Sequence, residues 1–336
     1  MSHYHHLSIT ERECIWENYI RGKSLHEIAA CVGRNVSTVS RELKRNQKGG
    51  SYRPSEAQSK YEQRRQRCRR PYLLAEGPLQ ETVVRLLTQE QWSPEQISHR
   101  LLAEGGTTTV SYATIYRALK QGFMEPKGKR KKNRHGRFPM EKHLRRKGWK
   151  GHPKQKAHER TKPFVHQTID QRPKEAADRL QLGHWEGDLV YSSFHKVYVI
   201  TLVDRRSRYL LTGICNNRKP EDIATAMLAM LKDLPGHLLR SITLDRGTEF
   251  AHHSKITAAL PHVQFYFAHP HAPWERGSNE NTNGLLRQYI PKCTYKRPFS
   301  PELLKTFTLK LNCRPRKCLM RKTPFEIFHG SLLHLT

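Results

Sequence analysis

The chain has 336 residues, with 60 Lys+Arg against 30 Asp+Glu, a formal net charge of +30 and a hydrophobic content of 36%. No apolar run reaches the roughly 18 residues of a membrane span, and the N-terminal MSHYHHLSITEREC has no apolar core, so neither a transmembrane helix nor a secretory signal is expected. Seven scattered Cys without framework spacing argue against a disulfide-stapled secreted domain and for a reducing cytosol. A positive excess of this size asks for a polyanionic partner. Nucleic acid is the first expectation; an anionic membrane surface is the second, but no basic amphipathic anchor stands out.

Both halves are basic, with 31 basic and 14 acidic residues in 1–150 and 29 and 16 in 151–336, so the charge is not a tail. In YEQRRQRCRR (61–70), five Arg fall within seven residues. From Lys127 to Lys162 there are 16 basic residues, and the acids are Glu141 and Glu159 alone. Gly and Pro interrupt that stretch, which reads as a mobile basic linker in contact with phosphates.

In chain order, ERECIWENYI (11–20) reads as a helix with Ile15, Trp16, Tyr19 and Ile20 as core. Ser24 with Glu27 forms a capping box that starts a second helix at Leu25. Gly33 supplies the sharp turn, and Asn35 caps a third helix to about Lys44, with Val36, Val39 and Leu43 on one face. This is the helix-turn-helix plan, in which the last helix enters the major groove. Asn35, Ser37, Thr38, Ser40, Arg41 and Lys44 are its candidate DNA contacts. A weaker second copy starts at Ser93-Pro94, with Gln96 completing a capping box, and continues from Ser111 through 112–120. There Ile115, Tyr116 and Leu119 read as core, while Tyr112, Thr114 and Arg117 could face DNA.

In the C-terminal half the periodicity changes. The runs 187–191, 196–204 and 208–214 read as an antiparallel meander, followed by a helix at 220–234, strands at 241–245 and 262–268, and helices at 278–290 and 301–312. The order βββ-α-β-α-β-α-α predicts an α/β domain on a mixed sheet. Acids are scarce here, so their placement carries weight. Asp188 opens the first strand, Asp245 ends a later one before Arg246-Gly247, and Glu280 lies in a helix. Three carboxylates converging at a sheet rim would make an oxygen site for Mg²⁺, with Mn²⁺ as the alternative. A pair of such ions about 3.5–4 Å apart clamps the attacking and leaving oxygens of a phosphodiester. Spacing alone leaves open that each acid is an ordinary ion-pair partner.

At these residues the chain resembles a known family. GHWEGDL (183–189), TLDRGTEF (243–250) and WERGSNENTNGLLRQYIPK (274–292) match the catalytic core of the IS-thirty family of bacterial insertion-sequence transposases, and GRNVSTVSREL (33–43) matches its helix-turn-helix. The resemblance covers about residues 8–330. It implies a retroviral-integrase-like, ribonuclease-H-like domain with a mixed five-stranded sheet. It also implies that Asp188, Asp245 and Glu280 are the catalytic, metal-binding carboxylates. The implied arrangement is a helix-turn-helix domain at 1–50, a helical region with the second copy at 51–126, a basic linker at 127–172 and the catalytic domain at 173–336. The implied activity is metal-dependent cleavage at terminal inverted repeats, freeing a 3′-OH that attacks target DNA. The partners would be double-stranded DNA and further copies of the chain in a synaptic complex, on the nucleoid in the bacterial cytoplasm.

Two positions depart from the family pattern. Arg246 stands where Asn is usual, and the Asp245–Glu280 interval is about one residue longer, assigned to a loop around 250–262. A covalent route through Tyr289 or Ser278 is set aside, because the Arg-His-Arg constellation it needs is missing. Among other residues, Glu275 reads as structural, Asp204 as a turn ion pair with Arg205 and Arg206, and Glu249 as a support of the site from behind. Arg287 and Lys292 read as DNA contacts, and Trp274 as packed. The rival readings are a non-catalytic helix-turn-helix regulator, favoured by Arg246, and a general nuclease that does not join ends.

Overall fold

Ser8 accepts from the Glu11 backbone N–H at 3.2 Å, and the Glu11 carboxylate accepts from Ser8 N at 2.6 Å. That reciprocal cap starts α1 (Ile9–Ile20). The computed structural model describes residues 5–47, 50–68, 72–105, 109–126, 128, 130–144, 167–192, 196–270, 272–291 and 299–334. The chain divides into two compact units, Met1–Tyr72 and Leu73–Thr336.

In the first unit, the Ser24–Glu27 box starts α2 (Leu25–Val32), which ends at Gly33 with φ +68°, a left-handed geometry that favours glycine. Asn35 caps α3 (Val36–Asn46) by accepting from Ser37 N at 2.9 Å. Then comes α4 (Pro54–Arg67), inside the stretch expected to be helical from residue 51 onward and ending in the arginine run. It buries a single side chain, Ala57, so it carries no apolar stripe to reveal it. Ile15, Ile28, Val39, Leu43 and Tyr52 form the core with Ala57. Trp16 and Ile20, expected inside, are exposed at 40% and 62%. The reason is polar: α1 turns Arg12, Ile15 and Asn18 inward, and Arg12 Nε meets Glu42 Oε1 at 2.7 Å. Tyr52 Oη donates to the same carboxylate at 3.2 Å, so a buried pair holds α1 to α3.

The second unit begins with α5 (Pro78–Thr88), α6 (Pro94–Ala103) and α7 (Tyr112–Gln121). Val83, Leu86, Leu87, Trp92, Ile97, Ile115 and Leu119 form their shared core. Within the basic stretch, Met140 packs on this core and its N–H donates to Glu125 at 2.6 Å. Residues 145–166 of that stretch lie outside the described residues. After a short α8 (Lys174–Ala177) come β1 (His184–Ser192), β2 (Val197–Asp204), β3 (Leu210–Cys215), α9 (Pro220–Leu231) and β4 (Ser241–Leu244). They are followed by α10 (His253–Ala259), β5 (Gln264–Phe267), α11 (Gly277–Tyr289), α12 (Pro301–Asn312) and α13 (Pro324–His329). The supposed loop around 250–262 is thus largely the helix α10.

The strands form one mixed five-stranded sheet in the order β3-β2-β1-β4-β5. Strands β1, β2 and β3 pair antiparallel, while β1–β4 and β4–β5 are parallel. Alternation along β2 explains the two faces. Ile200 and Leu202 join Trp185, Met227 of α9 and Ile256 of α10 on one side. Val199 and Val203 join Leu285 and Leu286 of α11 and Leu311 of α12 on the other. The helices α5–α7 pack on this domain. Arg100 pairs with Glu326 at 2.9 Å, Gln96 donates to the Pro315 carbonyl at 2.6 Å, and Lys310 donates to the Gln89 carbonyl at 2.7 Å. Burial pushes the Glu326 carboxyl up, but Arg100 and the N–H groups of Thr323 and Leu333 outweigh it and bring it down to about 2. Among the described residues, no helix is long and apolar enough to cross a membrane.

Candidate active site

The parallel register of β1 and β4 sets His184 opposite Ser241 and Glu186 opposite Thr243. Two residues further on, the same offset brings Asp188 level with Asp245, just past the end of β4. Side chains two apart share a sheet face, so both aspartates stand on the side covered by α11. They are half-exposed, at 30% and 33%.

Helix α11 runs beside β1 as a matched ladder. Asn279 Nδ2 donates to the Glu186 carbonyl at 2.9 Å, and Asn283 Nδ2 donates to Asp188 Oδ2 at 2.8 Å. Four helical residues rise about 6 Å and two strand residues about 6.6 Å, which is why the steps stay in phase. Glu280 lies on the helix between these two asparagines, about 60° around the axis from Asn283, and is exposed. Arg276, at the start of α11, reaches both aspartates: Nη2 donates to Asp245 Oδ2 at 3.1 Å and Nη1 lies 3.6 Å from Asp188 Oδ1. Nη1 also donates to the Gly187 carbonyl at 3.0 Å. Thus the structure brings Asp188 and Asp245 together, and a guanidinium bridges them. Among the described residues, no group of three or more His, Cys, Asp or Glu is gathered as a metal cluster, so Glu280 does not close on the pair here. Burial pushes the Asp188 carboxyl up, against the opposing pull of Arg276 and the Leu189 N–H.

Beneath the pair lies a buried frame that the sequence did not reveal. Glu186 is fully buried, accepts from Asn279 N at 2.9 Å, and pairs closely with Arg205. Arg205 Nε donates to the Ala176 carbonyl at 2.8 Å. Asp204 was expected to pair with Arg205 and Arg206; instead its carboxylate accepts from Ser207 N at 2.7 Å and Gly183 N at 2.9 Å. Gly247 leaves no room for a side chain, since an added Cβ would lie 2.5 Å from the Glu249 carboxylate and 2.8 Å from Asp245 Oδ1. Glu249 is held by Arg218 at 2.8 Å. Arg246 Nε donates to the Ala268 carbonyl at 3.1 Å, so it is engaged on the β5 side of the site. Glu275 accepts from His269 at both N and Nδ1, a structural role as expected. Trp274, expected to pack, is 73% exposed. Tyr289 is buried and donates to the Glu90 carbonyl at 3.1 Å, and burial raises its hydroxyl to about 12, which suits a structural phenol and not a nucleophile. Ser278 is buried and accepts from Arg208.

In the first unit, Ser37, Arg41 and Lys44 are exposed at helical spacing along α3, opposite buried Val39 and Leu43. Thr38 and Ser40 are partly covered, and Asn35 is the cap. A cavity of about 480 Å³ between α3 and α4 is lined by Arg41, Arg45, Arg64 and Arg65, so the early arginine run joins the face of α3. On α7, Arg117 and Tyr112 are exposed, while Tyr116 donates to Glu95 at 2.8 Å. Arg287 is half-buried on α11, and Lys292 lies outside the described residues.

Family models match residues 3–46 as a helix-turn-helix domain, 38–119 as a homeodomain-like domain and 178–273 as an integrase core domain. The integrase match contains Asp188 and Asp245 and stops before Glu280. A solved structure of the catalytic core domain of BIV integrase aligns with 44% of this chain and 93% of its own, at 17% identity and a TM-score of 0.36. The transposase for insertion sequence element IS1086 of Cupriavidus metallidurans is 36% identical over 322 residues, 93% of this chain and 91% of that one. The transposase InsI for insertion sequence element IS30A of Escherichia coli K12 is 36% identical over 335 residues, 96% of this chain and 83% of the relative. On that similarity over nearly its whole length, the chain belongs to the IS30 family of insertion-sequence transposases, with a helix-turn-helix region ahead of an integrase core.

Proposed function

We propose that the chain cuts DNA at the terminal inverted repeats of its element and joins the freed 3′-OH to target DNA, with Asp188, Asp245 and Glu280 as the catalytic carboxylates. The observation that carries this is the level placement of Asp188 and Asp245 on adjacent parallel strands; Glu280, exposed on α11, is proposed to join them when a cation binds. The donor set suits a hard divalent cation, Mg²⁺ or Mn²⁺: two carboxylates already converge on one cationic group, and the buried Asn283 Oδ1 has no hydrogen-bond partner among the described residues. Asp188 and Asp245, with Glu280, would hold it. Bound there, the cation would polarise the phosphodiester and offset the repulsion between carboxylates and phosphate.

The remaining work falls to this chain's side chains. Asn283 orients Asp188, and Glu186 fixes the first turn of α11 through the Asn279 N–H, so that Glu280 is presented from a rigid helix. The exposed Ser37, Arg41 and Lys44 face contacts the repeat, and Arg117, Arg287 and Lys292 bind further DNA. Copies of the chain bring two element ends together in a synaptic complex. The engagement of Arg246 with the Ala268 carbonyl supports the enzyme reading over that of a non-catalytic regulator.

The test is cleavage and joining on a duplex carrying the element's end, with Mg²⁺ or EDTA. Asp188→Asn, Asp245→Asn and Glu280→Gln should each abolish both steps while retaining repeat binding. Strand transfer surviving in any one of them removes that residue from the site, and cut ends that are never joined point to a nuclease.

A further inference from the structure

We infer that Arg276 is a resident counter-ion of the Asp188–Asp245 pair, competing with the divalent cation and swinging away when it binds. This rests on the reading of the pair as a cation site. Two carboxylates held this close repel each other unless a cation lies between them. Arginine stays charged under all ordinary conditions, and its planar fork can span two acceptors. Here the fork does so: Nη2 reaches Asp245 Oδ2 at 3.1 Å, while Nη1 serves the Gly187 carbonyl at 3.0 Å and lies 3.6 Å from Asp188 Oδ1. The side chain is only 17% exposed, so this is a built position and not a passing surface contact.

The surrounding backbone is pinned on both sides. Glu275 is tied to His269 through both carboxylate oxygens, and Asn279 is tied to Glu186 through its N–H and its side chain. Release of the carboxylates therefore comes from rotation of the Arg276 side chain, with the helix start held in place. The same geometry gives the chain a neutralised, folded site before any cation arrives. It also makes cation binding weaker than the bare carboxylates would give, because a charge-assisted contact has to be broken first.

The experiment is Mn²⁺ titration calorimetry on the full chain without DNA, comparing wild type, Arg276→Gln and Asp188→Asn, with thermal melts of each with and without Mn²⁺. Arg276→Gln should bind Mn²⁺ more tightly, on the order of tenfold, and should melt lower than wild type in EDTA. Asp188→Asn should lose the binding. If Arg276→Gln fails to fold, Arg276→Lys serves: its single ammonium cannot span both carboxylates, and affinity should again rise. Binding in the Arg276 variants equal to or weaker than wild type, with Asp188→Asn still abolishing it, overturns the counter-ion role and leaves the cation site standing. Binding that ignores Asp188→Asn overturns both.

Discussion

Glu186 and Asn279 are joined twice: the Asn279 N–H donates to Glu186 Oε2 and its side-chain amide to the Glu186 carbonyl, both at 2.9 Å. One residue after Asn279 comes Glu280, and two residues after Glu186 comes Asp188. The pair therefore sets the relation between the strand and helix that carry candidate catalytic groups. Glu186→Ala would also strand the buried Arg205. A loss of about 3–5 kcal/mol is expected in urea unfolding, as for other buried pairs broken on one side. A loss under about 1 kcal/mol would show that Arg205 finds another partner.

His184 provides a pH prediction. It is 4% exposed, its Nδ1 lies 2.7 Å from Ser241 Oγ, and burial, aided by Arg240, Arg205 and Arg172, lowers its imidazolium to about 4. The unfolded chain binds this proton near pH 6.5 and the folded chain does not, so stability is full above about 6.5 and falls as pH drops toward about 4. Between about pH 7 and pH 5 this one group should remove on the order of 2 kcal/mol. His184→Gln should flatten the difference between unfolding curves at those two values; an unchanged slope would assign the acid sensitivity to other groups.

Gly247→Ala tests the site without touching a carboxylate. The backbone there has φ −72°, which alanine accepts, but the new Cβ would press on the Glu249 carboxylate and Asp245 Oδ1. Cleavage should fall at least about tenfold, since small displacements of reacting groups are costly. The melting temperature should move by only a few degrees, about what 1 kcal/mol does in a chain this long. Full activity would mean that Asp245 tolerates displacement.

For recognition, Arg41→Ala and Lys44→Ala should each weaken repeat binding and reduce the slope of log K against log salt by about 0.9 where the residue lies on a phosphate. Anisotropy titrations at several salt concentrations give both numbers. A slope unchanged in both variants would move the DNA off this face of α3.

The mixed sheet and most helices were legible because their signals are local: capping boxes at Ser24 and Ser93, the glycine turn at Gly33, and the β-rich apolar run along 197–204. Asp188 and Asp245 stood out because acids are rare in this half. What stayed hidden depends on long-range partners. In sequence Arg276 is one cation among 60, whereas Arg246 sits beside Asp245 but binds Ala268. Trp16 and Ile20 were misplaced because a buried Arg12–Glu42 pair, invisible to hydrophobic periodicity, sets the rotation of α1. One signal was available for the site frame. Asn279 and Asn283 lie four apart on α11, on the side that also carries buried Thr282 and Leu286, and polar residues on an inward helix face call for specific partners.

The docking of α5–α7 on the sheet domain through Arg100 and Glu326 has a geometric consequence. If Arg117 on α7 binds DNA as proposed, a base pair it touches stands at a distance from Asp188 that is set by side-chain packing within a single compact unit. The offset between a bound sequence and the cut phosphate is then a dimension of the folded body, like the gap of a caliper, and lengthening the basic stretch after residue 144 should leave that offset unchanged.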